Sequence, residues 1–166
     1  MMKIIKSMKD LNFSQLTDVY AQSISDDGNV RYAMLPQTER IIQAEQDFYA
    51  YLRLFFKEKG AFGAVWSAEG RYVSALRIEP YKDGFLVAGL ETAQQYRGKG
   101  YAGLLLHSVV TYLSDYAKQP IYSHIDKRNV ASLRVHQKCG FDRIMEHAVY
   151  SDGSVLQSSC TMCYKK

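Results

Sequence analysis

The spacing of apolar residues changes at Gly60, and this change constrains the fold of the 166-residue chain more than any other feature. Before it, apolar side chains across residues 37–59 recur every three or four positions, which predicts a long amphipathic helix. After it, a period of two predicts strands in three segments: residues 61–68, 71–80 and 85–92. Turn signals at Glu69-Gly70 and Asp83-Gly84 join these strands into antiparallel hairpins.

The remaining segments complete an alternation of strands and helices. Strands are predicted at residues 2–8, 121–125, 141–150 and 155–164. One helix is predicted to begin at residue 10 or 14 and to end at 24, and two more are predicted at 101–118 and 129–138. Residues 26–29 are predicted to form a loop. The unit from residue 85 to residue 125 reads strand, helix, strand, which implies one parallel crossover. We therefore expect one α+β domain over residues 1–166, with a mixed, mostly antiparallel central sheet and helices on both faces.

Composition and charge exclude several classes of protein. Hydrophobic residues make up 47% and charged residues 23%, which is typical of a globular chain and excludes extensive disorder. The net charge of +4 is too weak and too dispersed for a dedicated nucleic-acid surface. No apolar run is long enough to cross a membrane, and the N-terminus lacks a signal-peptide core. Three cysteines are too few for a disulfide framework and predict reduced thiols, so we expect a cytoplasmic protein. We also expect no metal site and no membrane partner.

Two glycines and two cations lie between the third strand and the next helix, in the segment Arg97-Gly98-Lys99-Gly100-Tyr101-Ala102. Such a turn directs unpaired amides to one place, and the helix dipole adds positive potential there. This predicts a phosphate-binding loop. With Gly103, the glycines also fit the dinucleotide pattern G-x-G-x-x-G, but three antiparallel strands precede them, which disfavours a Rossmann fold. The P-loop pattern fails because Lys99 is not followed by Ser or Thr.

Residues 95–102, Gln-Tyr-Arg-Gly-Lys-Gly-Tyr-Ala, resemble the acetyl-CoA motif Q/R-x-x-G-x-G/A of the GNAT N-acetyltransferase superfamily. Asn129-Val-Ala-Ser132, followed by Lys138-Cys-Gly-Phe141, resembles that family's downstream segment. Element order and length are similar over essentially the whole chain. The resemblance implies acetyl-CoA as co-substrate, with its pantetheine arm between two splayed parallel strands, 85–92 and 121–125. It assigns cofactor binding to the residues Leu90, Thr92, Gln95, Arg97, Gly98, Lys99, Gly100, Tyr101, Ala102 and Asn129.

The helix predicted at 129–138 carries a polar stripe. At about 100° per residue, Asn129, Ser132 and His136 share one face, while Ala131 and Val135 lie on another side and suit the core. The stripe is either a solvent-facing surface or one wall of the cofactor site. The resemblance implies the wall, with Ser132 beside the cofactor and His136 where many members place a tyrosine as general acid. His136 either protonates the departing thiolate or is a spectator while water does so.

An alkylammonium group is not a nucleophile, so a base or a water chain has to remove a proton from the acceptor amine. Glu91 is the carboxylate nearest the expected acetyl site, and it points either to the substrate or to the opposite face; Glu79 is a weaker candidate. The prediction is an acetyl-CoA-dependent N-acetyltransferase. It acts on a primary amine of a small molecule or peptide by direct attack in a ternary complex.

Two other functions and one assembly remain open. A non-catalytic acyl-CoA-binding sensor is suggested by His136 at the tyrosine position. A nicotinamide-dinucleotide oxidoreductase needs an acidic ribose-binding residue about 20 positions past the glycines, where Ser123 stands instead. A homodimer is expected from family habit and from the frequency of two-fold pairs.

Overall fold

The computed structural model of the chain describes residues 1–116 and 118–164. Its strands are β1 (Met2–Ile5), β2 (Phe62–Ala68), β3 (Arg71–Tyr81), β4 (Gly84–Thr92), β5 (Ile121–Asp126), β6 (Phe141–Met145), β7 (Ala148–Val149), β8 (Val155–Leu156) and β9 (Ser159–Tyr164). Its helices are α1 (Phe13–Val19), α2 (Ala21–Arg31), α3 (Gln37–Phe55), α4 (Tyr101–Tyr116) and α5 (Val130–Lys138). Short 3₁₀ turns lie at Met8–Asp10 and Gln94–Tyr96.

Seven strands form one twisted layer in the order β1-β2-β3-β4-β5-β9-β6, and β7 pairs with β8 in a separate ribbon. Neighbours in the large sheet are antiparallel except β4 and β5, which are parallel. The crossover between these two strands contains α4, as the spacing of the sequence predicts. The α+β class with a mixed, mostly antiparallel sheet is confirmed.

The sheet has a core on each face. Ala64 belongs to a cluster built on α4, whereas its neighbour Val65 belongs to a cluster built on α1, α2 and α3. Successive residues of a strand face opposite sides, so the two clusters lie on opposite faces. Leu105, Leu106 and Val109 of α4 are fully buried in the first cluster. The expectation of helices on both faces is therefore confirmed.

The predicted loop at residues 26–29 is wrong, because these residues continue α2 to Arg31. Gly28 is buried in this helix, and a Cβ there would lie 2.8 Å from the backbone oxygen of Arg40. The glycine thus lets α2 approach α3 closely. In the sequence, a glycine that permits close helix packing looks the same as a glycine that reverses the chain in a turn. The single helix predicted up to residue 24 is two helices, which meet at Tyr20.

The last hairpin is more broken than the predicted pair of residues 141–150 and 155–164. β6 pairs with β9, and their register shifts between Arg143 and Met145. The residues between them form the β7–β8 ribbon, in which Val149 lies opposite Val155. β9 inserts between β5 and β6, which places the final strand inside the sheet.

The parallel pair β4–β5 separates along its length. The ladder joins Phe85 to Ile121 and ends where Val87 lies opposite Ser123, whose hydroxyl donates to the Val87 carbonyl over 3.2 Å. β4 continues to Thr92 and β5 to Asp126 without further pairing between them in the described chain. The predicted splay of these two strands is confirmed, and the site lies along the open end of β4.

Candidate active site

A groove of about 820 Å³ runs along the end of β4, past the N-terminus of α4 and over one face of α5. The structure brings together most of the residues that the sequence singled out. Those that line the groove are Leu90, Glu91, Thr92, Arg97, Gly98, Gly100, Tyr101, Ala102, Asn129 and Ser132. Gln95, Lys99 and His136 do not line it. The sequence assigned no role in binding to the other lining residues, which are Gln22, Ser23, Gly89, Tyr96, Gly103, Ala131, Val135 and Lys138.

The loop before α4 has the geometry of an anion site. Gly98 and Gly100 have φ angles of +75° and +83°, in the left-handed region that favours glycine. A Cβ at either position would meet no atom within 4 Å, so the space beside the loop is open. The backbone N–H of Leu104 donates to the Gly100 carbonyl at the start of the α4 ladder, so the amides before it have no acceptor within the helix. A diphosphate fits this open, amide-rich corner.

Basic side chains surround this corner in different ways. The Nε of Arg97 donates to the Thr92 carbonyl over 3.1 Å, which ties the side chain to the end of β4. Lys99 does not line the groove and holds its ammonium 5.3 Å from the centre of the ring of Tyr96, which does line it. Lys138 at the end of α5 also lines the groove; it begins the downstream segment that the sequence singled out, which assigned it no role in binding. Gln95 is exposed on the turn outside the groove.

The face of α5 that borders the groove differs from the predicted stripe. Asn129 is the N-cap, with φ −81° and ψ 71°, and its side chain accepts from the Ser132 amide over 3.0 Å. Asn129 therefore lies outside the regular helix and is not part of a helical stripe, whereas Ser132 and His136 lie one turn apart on the same side of α5. Ala131 and Val135 line the groove together with Ser132, instead of facing only the core.

His136 lies in the core, where only 1% of its surface is exposed. Its ring contacts Phe141 edge-on, with centroids 5.1 Å apart. Its Nδ1 lies 2.9 Å from the Ser132 carbonyl, and because a carbonyl only accepts, Nδ1 carries the proton. Nε2 then has the lone pair and is buried with no hydrogen-bond partner in the described part of the chain. This placement differs from the expected wall position, because the side of α5 that carries His136 packs against Phe141 of β6 and not along the groove.

Burial lowers the pKa of His136, and the bond to the Ser132 carbonyl opposes this only in part. The unfolded chain takes up a proton near the ordinary pKa of about 6.5, whereas the folded chain stays neutral to a lower pH. We therefore expect His136 to decrease the free energy of unfolding as the pH falls below about 6.5.

Urea unfolding at pH 7.5 and at pH 5.0 checks this prediction with His136→Phe. The wild type should lose more stability on acidification than the variant, and the exposed His107, changed to Phe, is the matched control for loss of an imidazole. Equal pH dependence of the wild type and His136→Phe would contradict the assignment of a neutral, buried ring.

β4 contains a bulge next to the groove. Ala75 of β3 lies opposite Glu91, and Arg77 lies opposite Ala88, so one residue of β3 faces Gly89 and Leu90 together. Gly89 has a φ of +59°. The Tyr20 hydroxyl donates to the Gly89 carbonyl over 2.6 Å, and the Ser74 hydroxyl donates to the Glu91 carbonyl over 2.6 Å. These bonds fix the backbone on both sides of the bulge.

The Glu91 side chain is half-buried beside the bulge, and the Ser23 hydroxyl of α2 donates to its Oε1. Burial raises the pKa of the Glu91 carboxyl, and the Ser23 bond with the charges of Arg77 and Arg97 opposes this rise. A carboxylate with a raised pKa is a stronger base than an exposed one. Glu79 of β3 does not line the groove, and it accepts from the Tyr51 hydroxyl over 3.2 Å.

A second cavity of about 340 Å³ opens beside the groove, between α2, α3 and the bulge; we call it the side pocket. It shares Ser23, Gly89 and Glu91 with the groove. Its other lining residues come from α2, α3, the junction of α1 with α2, and the middle of β3: Tyr20, Ile24, Asp27, Arg31, Ala44, Asp47, Phe48, Tyr51 and Arg77. No local motif marks these residues, because only the packing of α2 and α3 brings them together.

Two further searches concern membranes and metals. No helix within residues 1–116 and 118–164 is both long and apolar enough to cross a membrane. Over the same residues, His, Cys, Asp and Glu side chains form no group of three that could hold a metal ion. No disulfide bond joins Cys139, Cys160 or Cys163 in the part of the chain that the structure describes.

Comparisons with known proteins identify the fold. The paiA N-acetyltransferase of Thermoplasma acidophilum, solved with coenzyme A, matches with a TM-score of 0.66 and 14% identity, over 100% of this chain and 99% of that one. The ribosomal-protein-alanine N-acetyltransferase of Brucella melitensis matches with a TM-score of 0.68 and 16% identity, over 99% of each chain. The IAA acetyltransferase of Bacillus cereus matches with a TM-score of 0.64 and 13% identity, over 100% and 99%.

Sequence comparison is consistent with these structures. Among curated proteins, none matches the chain significantly. The family model of the acetyltransferase (GNAT) domain matches residues 11–142, which includes the α2 helix, the bulge, the glycine loop and α5. That span is well over half of the chain. The protein therefore belongs to the GNAT acetyltransferase family and is an acetyltransferase.

Proposed function

We propose that the enzyme transfers the acetyl group of acetyl-CoA to a primary amine of a small molecule or peptide by direct attack in a ternary complex. One observation carries this proposal: the Glu91 carboxylate belongs to the walls of both the groove and the side pocket. A group at this junction can reach an amine held in the side pocket and a thioester held in the groove. Direct transfer needs this shared position, because both substrates have to be present together.

The groove residues fit acetyl-CoA in an order that follows the fold. The loop amides around Gly98 and Gly100, with Arg97 and Lys138, would hold the pyrophosphate, and Lys99 and Gln95 would lie at its outer edge. Asn129 and Ser132 would bind the pantetheine arm from α5. The backbone of Leu90 and Thr92 would contact the arm and the acetyl group from β4. Bound there, acetyl-CoA supplies an acyl group activated as a thioester.

Glu91 acts as the general base in this proposal. It accepts a proton from the acceptor ammonium, either directly or through one water, so that the free amine can attack. Its raised pKa suits this role, since the base then holds the proton more strongly than an exposed carboxylate does. Backbone N–H groups at the bulge stabilise negative charge that develops on the acetyl oxygen. Solvent protonates the leaving thiolate, because neutral His136 has its only N–H bonded to Ser132.

Initial-rate kinetics with acetyl-CoA and a panel of amines test the proposal, with release of the CoA thiol as the readout. Intersecting double-reciprocal patterns are expected for a ternary complex, together with an acetylated amine product found by mass spectrometry. Parallel patterns would contradict direct attack. Tight binding of acetyl-CoA with no transfer to any amine would favour the acyl-CoA-binding sensor instead.

A further inference from the structure

We propose that the acceptor carries a carboxylate beside its amine, as a free α-amino acid does, and that Arg77 binds this carboxylate in the side pocket. The inference rests on the proposed function, because it names the substrate class for the same site. It makes Arg77 a specificity-determining residue that selects amino acids over peptides and simple amines.

Arg77 is a cation in the pocket wall with no carboxylate in ion-pair contact among the described residues; the charges of Glu79 and Glu91 act on it from farther away. Its guanidinium lies 5.7 Å from the centre of the Tyr20 ring and 5.3 Å from that of Tyr51. It takes part in none of the ion pairs found in the described residues, and its Nε is buried without a hydrogen-bond partner. Removing a charge from water without pairing it is costly, and a bound anion would relieve that cost.

The guanidinium also lies at the junction with the groove. A Cβ built on Gly89 would lie 2.7 to 2.8 Å from the guanidinium atoms of Arg77, so the group rests directly against the bulge. Glu91 follows two residues later on the same strand and lines the same pocket. The pocket therefore offers an anion for an ammonium group and a cation for a carboxylate at the end where the acetyl group would arrive. An α-amino acid has both groups on one carbon.

The other charged residues of the side pocket are already paired with each other. Arg31 contacts Asp27 over 3.2 Å and Asp47 over 3.0 Å, and the Tyr32 hydroxyl also donates to Asp47. These residues leave Arg77 and Glu91 as the lining charges that lack an ion pair within the described chain. The volume of about 340 Å³ is at the small end of ligand pockets, which suits one amino acid.

Paired substrates test the inference on the wild-type enzyme. Each of the twenty amino acids is compared with its α-amide by thiol release and mass spectrometry. At least one free amino acid should be acetylated on its α-amine with a kcat/KM about tenfold or more above that of its amide, since a charge-assisted bond is lost in the amide. The amide has the less basic amine, so a preference for the acid cannot come from amine availability.

Variants at Arg77 connect the preference to this residue. Arg77→Met should remove the discrimination between acid and amide and should leave the KM for acetyl-CoA unchanged. Arg77→Lys should restore part of the discrimination, because it keeps the charge but loses the two-pronged geometry. Arg71→Met, at the exposed start of the same strand, is the control and should keep the full preference.

The failure of this inference differs from the failure of the proposed function. Transfer to amines without a carboxylate, at rates equal to or above those of every amino acid, would overturn the role of Arg77. The proposed transfer of an acetyl group to an amine would still stand. No transfer to any amine, with acetyl-CoA bound, would overturn both. If Arg77→Met does not fold, the acid and amide pairs on the wild type still decide the question.

Discussion

Replacing Glu91 by glutamine should lower kcat/KM about 100-fold or more at neutral pH, with little change in the affinity for CoA. The amide keeps the size of the side chain and can still contact Ser23, but it cannot take a proton from the acceptor ammonium. General bases contribute about 100- to 10,000-fold to rate, which makes this the largest catalytic effect expected from one side chain. Steady-state rates and calorimetric binding of CoA check the two halves of the prediction.

The pH profile separates loss of a base from simple misfolding. In the wild type, kcat/KM should rise with pH as Glu91 loses its proton, and burial moves this rise above the pH at which an ordinary carboxyl ionises. Glu91→Gln should lose that part of the profile. Glu69→Gln, in the exposed turn between β2 and β3, is the matched control. A glutamine variant that keeps wild-type rates and the wild-type profile would show that Glu91 is not the base.

Gly84→Ala should have the largest effect on stability. A Cβ at Gly84 would lie 2.0 Å from the backbone oxygen of Pro120, and the next residue, Phe85, donates its N–H to that same oxygen over 3.0 Å. Backbone cannot move aside as a flexible side chain does, so β4 and β5 have to separate where their ladder begins. We expect a loss of about 3 kcal/mol, which is about 6–12 °C in Tm for a chain of this size.

Gly103→Ala controls for the added methyl group. Its Cβ would meet nothing within 4 Å, and it lies in the helix α4, where alanine is favoured by up to about 1 kcal/mol. Thermal unfolding should therefore give an unchanged or higher Tm for this variant. A Tm for Gly84→Ala equal to that of the wild type would mean that β4 and β5 are not held as closely as the structure describes.

Features with a local signature were predictable from the sequence. The period-two segments and the glycine turns located β2, β3 and β4, and the strand–loop–helix order placed Arg97, Gly98 and Gly100 at the N-terminus of α4. These signals lie within a few residues, so a single sequence carries them. The order of β4, α4 and β5 likewise implied a parallel crossover, because such connections have few alternatives.

Features that depend on long-range packing were not predictable. The sequence around Gly28 fits a turn and a close helix crossing equally well, and only the contact with Arg40 distinguishes the two. The inward position of His136 depends on how α5 packs against Phe141 of β6, which the spacing of residues within the helix does not determine. The side pocket joins Arg77 of β3 to residues of α2 and α3, which no spacing along the chain relates.

Binding of acetyl-CoA to the groove is the central claim, and thermal unfolding with acetyl-CoA, CoA and NAD⁺ tests it most directly. Ligand at about 100 times its Kd adds about 2.7 kcal/mol, or about 5–10 °C for this size. Both CoA species should raise Tm by this amount and NAD⁺ should not. Gly100→Val should abolish the rise, whereas Gly153→Val, at a turn glycine with a similar φ of +84°, should keep it. No rise with CoA in a folded sample, or an equal rise with NAD⁺, would contradict the account.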